Sequence, residues 1–225
     1  MSIKCIFFDY GGTLDAHGIA WKERFYSIYR EYGLDIPFDR FVKAFYASDD
    51  SLVAEGLKEE NLTATAFEQT VRVLKNLGIE DDTGELAKNI SGRFVSDSLM
   101  VAKENIPVLE RLANSYRLGV ISNNYGNIEA ICRECGLDTM MEVMIDSNVV
   151  GHEKPDPAIF YAALDAVKLD AEECVMVGDN IMRDINGALS VGMMGVLLCA
   201  SDRIDTVDSS RFHVIGRLSE LEEIL

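Results

Sequence analysis

Ile3-Lys4-Cys5-Ile6-Phe7-Phe8-Asp9-Tyr10-Gly11-Gly12-Thr13 is the stretch from which the fold is read. Its apolar residues run without interruption from Cys5 to Phe8, the length of one strand, with Lys4 the one polar residue before them and no regular polar alternation. A strand of that kind is covered on both faces, so it belongs inside a parallel sheet. It ends on an acid and two glycines, which places a carboxylate where the chain must turn sharply.

Downstream, the character changes. From about residue 16 to residue 100, WKERFYSIYREYGL, DRFVKAFYAS, TATAFEQTVRVLKNLGI and TGELAKNISGRFVSDSLM carry helical periodicity, with no strand among them. An α/β rhythm then resumes: helix IPVLERLANSYR, strand LGVISNN, helix NIEAICRECGL, strand MEVMIDS and helix KPDPAIFYAALDAV. Strand CVMVGDN, helix MRDINGALSVGM, strands GVLLCA and FHVIG, and a closing helix RLSELEEIL complete it. This order predicts a doubly wound α/β fold: a parallel sheet built from residues 1–15 and 101–225, with an all-helical unit, residues 16–100, inserted after the first strand. The helical unit has its own hydrophobic pattern and two crossings to the core, the layout of a lid. Right-handed crossovers bring Asp9, Ser122-Asn123 and Asp179-Asn180 to one rim, where open α/β sheets bind ligands.

Charge narrows the partners. Against 38 acidic residues stand 21 basic ones, a formal net charge of −17 with no basic cluster, so nucleic acid and anionic membrane surfaces are not expected partners. No run of apolar residues reaches membrane-spanning length, and the expected location is cytoplasmic. Cys132 and Cys135 form a C-x-x-C, but late in a helical pattern and without further ligands, which reads as packing rather than redox or zinc chemistry. Whether the chain is a monomer or a homodimer is left open by its pattern.

At the rim, Asp9 fits either attack on phosphorus or cation binding. The Gly11-Gly12 turn can offer backbone N–H groups to an anion, and the Thr13 hydroxyl can hold the loop or the carboxylate. Ser122 and Asn123 suit a phosphoryl oxygen, or simply a turn. Lys154, before Pro155, supplies a counter-charge. Asp179 and Asp184 beside Asp9 would repel unless a cation lay between them, and Mg²⁺ is the expected ion because it takes hard oxygen ligands. Asp184 can then act through metal-bound water or Lys154.

These motifs resemble the haloacid dehalogenase-like hydrolase superfamily. Asp9-Tyr10-Gly11-Gly12-Thr13 is similar to its first motif D-x-D-G-T, Ser122 to the second, Lys154 in KPDPAIF to the third, and Gly178-Asp179-Asn180 with Asp184 to the fourth. The resemblance implies a nucleophilic Asp9, phosphoryl contacts from Ser122 and Lys154, and Mg²⁺ held by Asp9, the Gly11 backbone carbonyl and Asp179. It implies a phosphatase for a small phosphorylated molecule, with residues 16–100 as a helical cap of the first type that makes the substrate choice.

The sequence departs from that pattern at Gly11, where related phosphatases carry the aspartate that protonates the leaving oxygen and activates water. Haloacid dehalogenases and phosphonoacetaldehyde hydrolases also lack this acid, so both remain alternatives, as does a non-catalytic phospho-ligand-binding protein. Two residues early in the helical unit are candidates for the open role: His17 for proton transfer, and Trp21 for substrate contact from an aromatic stripe with Phe25, Tyr26 and Tyr29.

Overall fold

In a computed structural model that describes residues 2–199 and 211–225, six strands form one sheet in the order β3-β2-β1-β4-β5-β6, with every neighbouring pair parallel. The strands are β1 (Cys5–Phe8), β2 (Arg117–Ser122), β3 (Val143–Asp146), β4 (Cys174–Gly178), β5 (Met194–Leu198) and β6 (Phe212–Ile215). β1 lies between β2 and β4 and is buried along its whole length, as its uninterrupted apolar run requires. Its side chains alternate between the two faces. Ile6 and Phe8 join one buried cluster, while Cys5 and Phe7 join the other.

Four helices occupy the chain between β1 and β2: α1 (Trp21–Glu31), α2 (Phe38–Glu55), α3 (Leu62–Leu77) and α4 (Glu85–Ala113). The Asn61 side chain caps α3 by accepting from Ala64 N–H, and Gly78 ends it in the left-handed conformation. The rest of the chain supplies α5 (Ile128–Glu134), α6 (Ser147–Val150), α7 (Pro157–Val167), α8 (Asn186–Ser190) and α9 (Leu221–Ile224). Pro157 opens α7 where its missing N–H costs nothing, and Asp156 caps that end. Among the described residues no helix is long and apolar enough to cross a membrane.

Two features differ from the sequence reading. α4 continues through residue 100 and through Pro107 as one helix, so the boundary drawn at residue 100 falls inside an element. Both halves bury a stripe, Phe94, Ala102, Leu109 and Leu112 among it, and this packing outweighs the local cost of the proline. The separate hydrophobic pattern expected for the helical unit also merges with the sheet. One buried cluster runs from Ile6 and Phe8 through Tyr10 and Leu14 into Phe25, Phe41, Phe45 and Phe94. The turn after β1 is where the two meet, and Asn105 of α4 fastens it by donating to the Leu14 carbonyl at 3.0 Å.

Candidate active site

Strands β1 to β4 all end at the same rim. Asp9 follows β1 and extends its pairing, its N–H donating to the Val177 carbonyl at 2.8 Å; Ser122 and Asp146 close β2 and β3, and Asp179 follows β4. Lys154 comes from the segment before α7 and inserts its ammonium among them. Its Nζ lies 2.7 Å from Asp9 Oδ1, 2.7 Å from Asp184 Oδ1 and 2.7 Å from the Ile121 carbonyl, which satisfies its three donors. Both ion pairs are almost wholly removed from water.

Burial opposes charge on each of these groups, and the neighbours decide the outcome. Lys154 is desolvated, yet Asp184 and Asp9 together hold its pKa above the ordinary lysine value. Asp9 is raised by burial, against the opposing pull of Lys154. Asp179 is raised by burial and then by the nearby charges of Asp9 and Asp184. One buried cation therefore faces three carboxylates, a deficit of positive charge.

A metal ion fits that deficit. Asp9, Asp179 and Asp184 can bring one oxygen each within 4.8 Å of one another. Asp179 Oδ1 is buried without any hydrogen-bond partner among the described residues, an acceptor left for a cation or water. Asp179 also explains a glycine: a Cβ on Gly12, which has φ +98°, would come within 2.4 Å of Asp179 Oδ2. Asp184 is committed on both oxygens, to Lys154 and to the Asn180 N–H, so it orders Lys154 and the loop after β4.

Above the rim lies a cleft walled on one side by Asp9, Gly11, Ser122, Lys154 and Asp184, and on the helical side by Trp21, Lys22, Phe45, Tyr46 and Asp49. Several residues singled out in the sequence sit differently from expectation. The Gly12 N–H is not open to an anion, because it donates to Asp15 Oδ1 at 2.8 Å. Thr13 is fully buried and its hydroxyl has no partner, so neither residue lines the cleft. Asn123 lines it, yet its side chain exchanges two hydrogen bonds with the Lys154 backbone, at 2.7 and 3.0 Å, and serves as a brace for that lysine. His17 lies outside the cleft, exposed, with Glu104 at 3.4 Å. Its position early in the helical unit does not carry it to the rim.

Trp21 does line the cleft, and it accounts for Gly11. That residue has φ −75° and ψ 110°, which any amino acid can adopt. An added Cβ would nevertheless lie 3.1 Å from Trp21 Nε1 and 3.3 Å from Trp21 Cδ1. The indole thus occupies the space into which a side chain at position 11 would project. It is held there by a 2.8 Å hydrogen bond from Nε1 to Asp15 Oδ2, the oxygen that also accepts from Arg24 and Ser98. Phe25, Tyr26 and Tyr29 pack in the helical unit, as the spacing of the stripe suggested.

Sequence reasoning missed Asp15, Asp49 and Asp146. Asp15 ties the turn to α1 and α4 through Arg24 and Ser98; its mark in the sequence is an acid three residues beyond the glycines, between Leu14 and Ala16. Asp146 accepts from the N–H groups of Gly126, Ile128 and Asn148, and so shapes the loop after β2. Asp49 lies at helical spacing from Phe45 and Leu52, an acid on the apolar face of α2, and that was its signal. Tyr125 donates to Asp49 Oδ1 at 2.7 Å, one of several bonds from the loop after β2 to the helical unit. The Leu57 N–H to the Tyr125 carbonyl at 2.8 Å, and Asn127 Nδ2 to the Glu60 carbonyl at 2.7 Å, are others.

The family model for haloacid dehalogenase-like hydrolases matches residues 3–192. Glyceraldehyde 3-phosphate phosphatase of Methanothermobacter thermautotrophicus is 29% identical to the chain, over 99% of this chain and 100% of that protein. Haloacid dehalogenase-like hydrolase domain-containing protein 3 of Danio rerio is 38% identical over 104 residues, 46% of this chain; there the chain spans less than half of the relative, 43%. Among solved structures, the 2-haloacid dehalogenase of Pseudomonas syringae pv. Tomato superposes with a TM-score of 0.57 at 26% identity, covering 99% of this chain and 97% of that one. The chain belongs to the haloacid dehalogenase-like hydrolases.

Proposed function

We propose that this haloacid dehalogenase-like hydrolase is a Mg²⁺-dependent phosphatase that attacks a small phosphorylated molecule with Asp9. The observation that carries this reading is the Lys154 ammonium fixed between Asp9 and Asp184, with the orphaned carboxylate oxygen of Asp179 alongside. Lys154 holds Asp9 Oδ1, while Oδ2 has no protein hydrogen bond among the described residues and is the oxygen available for attack. Asp9 forms a bond to phosphorus as the ester oxygen leaves on the opposite side, giving an aspartyl-phosphate. Water then attacks phosphorus and regenerates Asp9. Ser122 and Lys154 steady the phosphoryl oxygens. Asp9, Asp179 and the Gly11 carbonyl would hold Mg²⁺, which supplies charge neutralisation for the phosphoryl group.

Residues 16–100 act as a cap in this scheme. Trp21, Lys22, Phe45, Tyr46 and Asp49 supply the substrate-facing wall, and substrate choice falls to them. The relative that aligns end to end is named as a phosphatase of glyceraldehyde 3-phosphate, so that compound heads the substrate panel. Dehalogenation, for which the Pseudomonas neighbour is named, has less support: without a metal it would leave three carboxylates, two of them buried, around one lysine.

The test is phosphate release from a panel of phosphate monoesters. Turnover is expected in Mg²⁺, to stop in excess chelator, and to fall by roughly 10⁴-fold or more in Asp9→Asn, which keeps the shape but removes the nucleophile. Chloride release from 2-chloropropionate that survives chelation would replace this reading with dehalogenation.

A further inference from the structure

The in-line geometry of phosphoryl transfer sets a requirement that Gly11 leaves unmet. Asp9 attacks from the sheet rim, so the leaving oxygen points away from the rim, towards the helical wall. The water that later displaces Asp9 must approach along the same line from that same side. One acid–base group on the helical wall could therefore serve both steps. Trp21 fills the space beside Gly11 and carries no titratable proton, and Lys22, on the same wall, forms an ion pair with Glu23 at 2.9 Å.

Within the lining of the cleft, Asp9, Asp49 and Asp184 are the carboxylates among the described residues, and Asp49 alone comes from the helical side. We infer that Asp49 is the proton donor and acceptor of this enzyme, replacing the acid that Gly11 lacks; the inference rests on the Asp9 phosphatase reading. Its orientation is set by two hydrogen bonds into one oxygen: Oδ1 accepts from Tyr125 OH at 2.7 Å and from Gln69 Nε2 at 2.9 Å. Oδ2 has no protein partner among the described residues and is not sealed in the interior, so it is the oxygen free to exchange a proton. Burial also pushes the Asp49 carboxyl up to about 6, against the lowering effect of Tyr125 and Gln69, which suits a group that must give and take a proton near neutrality. Gln69 holds Asp49 from within the helical unit, whereas Tyr125 belongs to the loop after β2, so the Tyr125 bond forms across the cleft, between the helical unit and the sheet side.

The steps balance. As the Asp9–phosphorus bond forms and the ester bond breaks, the carboxyl proton of Asp49 passes to the leaving oxygen and releases an alcohol. The Asp49 carboxylate then takes a proton from water as the water oxygen bonds to phosphorus and the Asp9–phosphorus bond breaks. Inorganic phosphate leaves, and Asp49 is protonated again.

Leaving-group dependence separates this role from a structural one. Asp49→Asn is compared with wild type on an alkyl phosphate that wild type hydrolyses and on p-nitrophenyl phosphate, whose leaving anion needs no proton. kcat/KM for the alkyl ester is expected to fall about 10²- to 10⁴-fold and for the aryl ester less than about 10-fold. The retained aryl activity also shows that the variant is folded. Equal losses on both esters, or no loss on either, would overturn the assignment. Tyr125→Phe breaks the same contact between helix and loop but keeps the carboxyl; it is expected to lower the alkyl ester by a smaller factor than Asp49→Asn does and to leave the aryl ester almost unchanged, and a loss as large as that of Asp49→Asn would count against Asp49. Failure of wild type to hydrolyse either ester would instead sink the phosphatase reading itself.

Discussion

The two walls of the cleft are built on different principles. The sheet side is a charge network in which each group is placed by the end of a strand or the segment before a helix: Asp9, Asp184 and the Ile121 carbonyl each reach Lys154 at 2.7 Å. The helical side is a packed aromatic wall, Trp21 against Tyr10, Phe25 and Phe94, with one acid, Asp49, held through a phenol from the opposite side. In the first wall removal of a charge strands its partners. In the second, shape dominates, because Trp21 decides what position 11 can hold.

The largest stability effect should come from breaking the charge network. Lys154→Met in the presence of chelator leaves Asp9 and Asp184 buried without their cation, and unfolding by urea should show a loss of about 3–5 kcal/mol. A loss under about 1 kcal/mol would mean that the carboxylates relax towards solvent, and that the sheet wall is no more rigid than the surface.

A smaller effect tests the packed wall. Gly11→Asp restores the usual acid to the motif, but its Cβ would press on Trp21 at 3.1 Å. The single variant should lose about 1–3 kcal/mol by overpacking. Combining it with Trp21→Ala should recover part of that loss, a coupling of about 0.5–3 kcal/mol in a double-mutant cycle of unfolding. Additive effects would show that the indole moves aside freely, and the contrast between a shape-determined wall and a charge-determined one would dissolve.

His17→Ala sets the lower bound. The residue is exposed and outside both walls, so stability should change by no more than about 0.5 kcal/mol, with kcat/KM for an alkyl phosphate unchanged. A substantial loss of turnover would place His17 in proton transfer after all and displace Asp49.

The sheet wall was legible because strand ends are local facts. An apolar run that stops at Asp9, at Ser122 or at Asp179 announces in the chain itself which side chain reaches the rim, and parallel crossovers then bring those ends together. The sequence also determined that the sheet is parallel and that helices fill the chain between β1 and β2, through their two periods. Tertiary structure alone decided the assignments made by packing between helices. Trp21 reaches Gly11 because Asp15, Arg24 and Ser98 fix the start of α1 against α4. Asp49 faces the cleft through Tyr125, which is 76 residues away in the chain. The Gly12 N–H, open by motif, is taken by Asp15. α4 runs through Pro107 because buried contacts on both sides outweigh a local preference to stop. The physical reason is range: strand ends and turns follow from interactions within a few residues, whereas the occupancy of the space beside Gly11 depends on how elements distant in the chain fill volume and satisfy one another's hydrogen bonds.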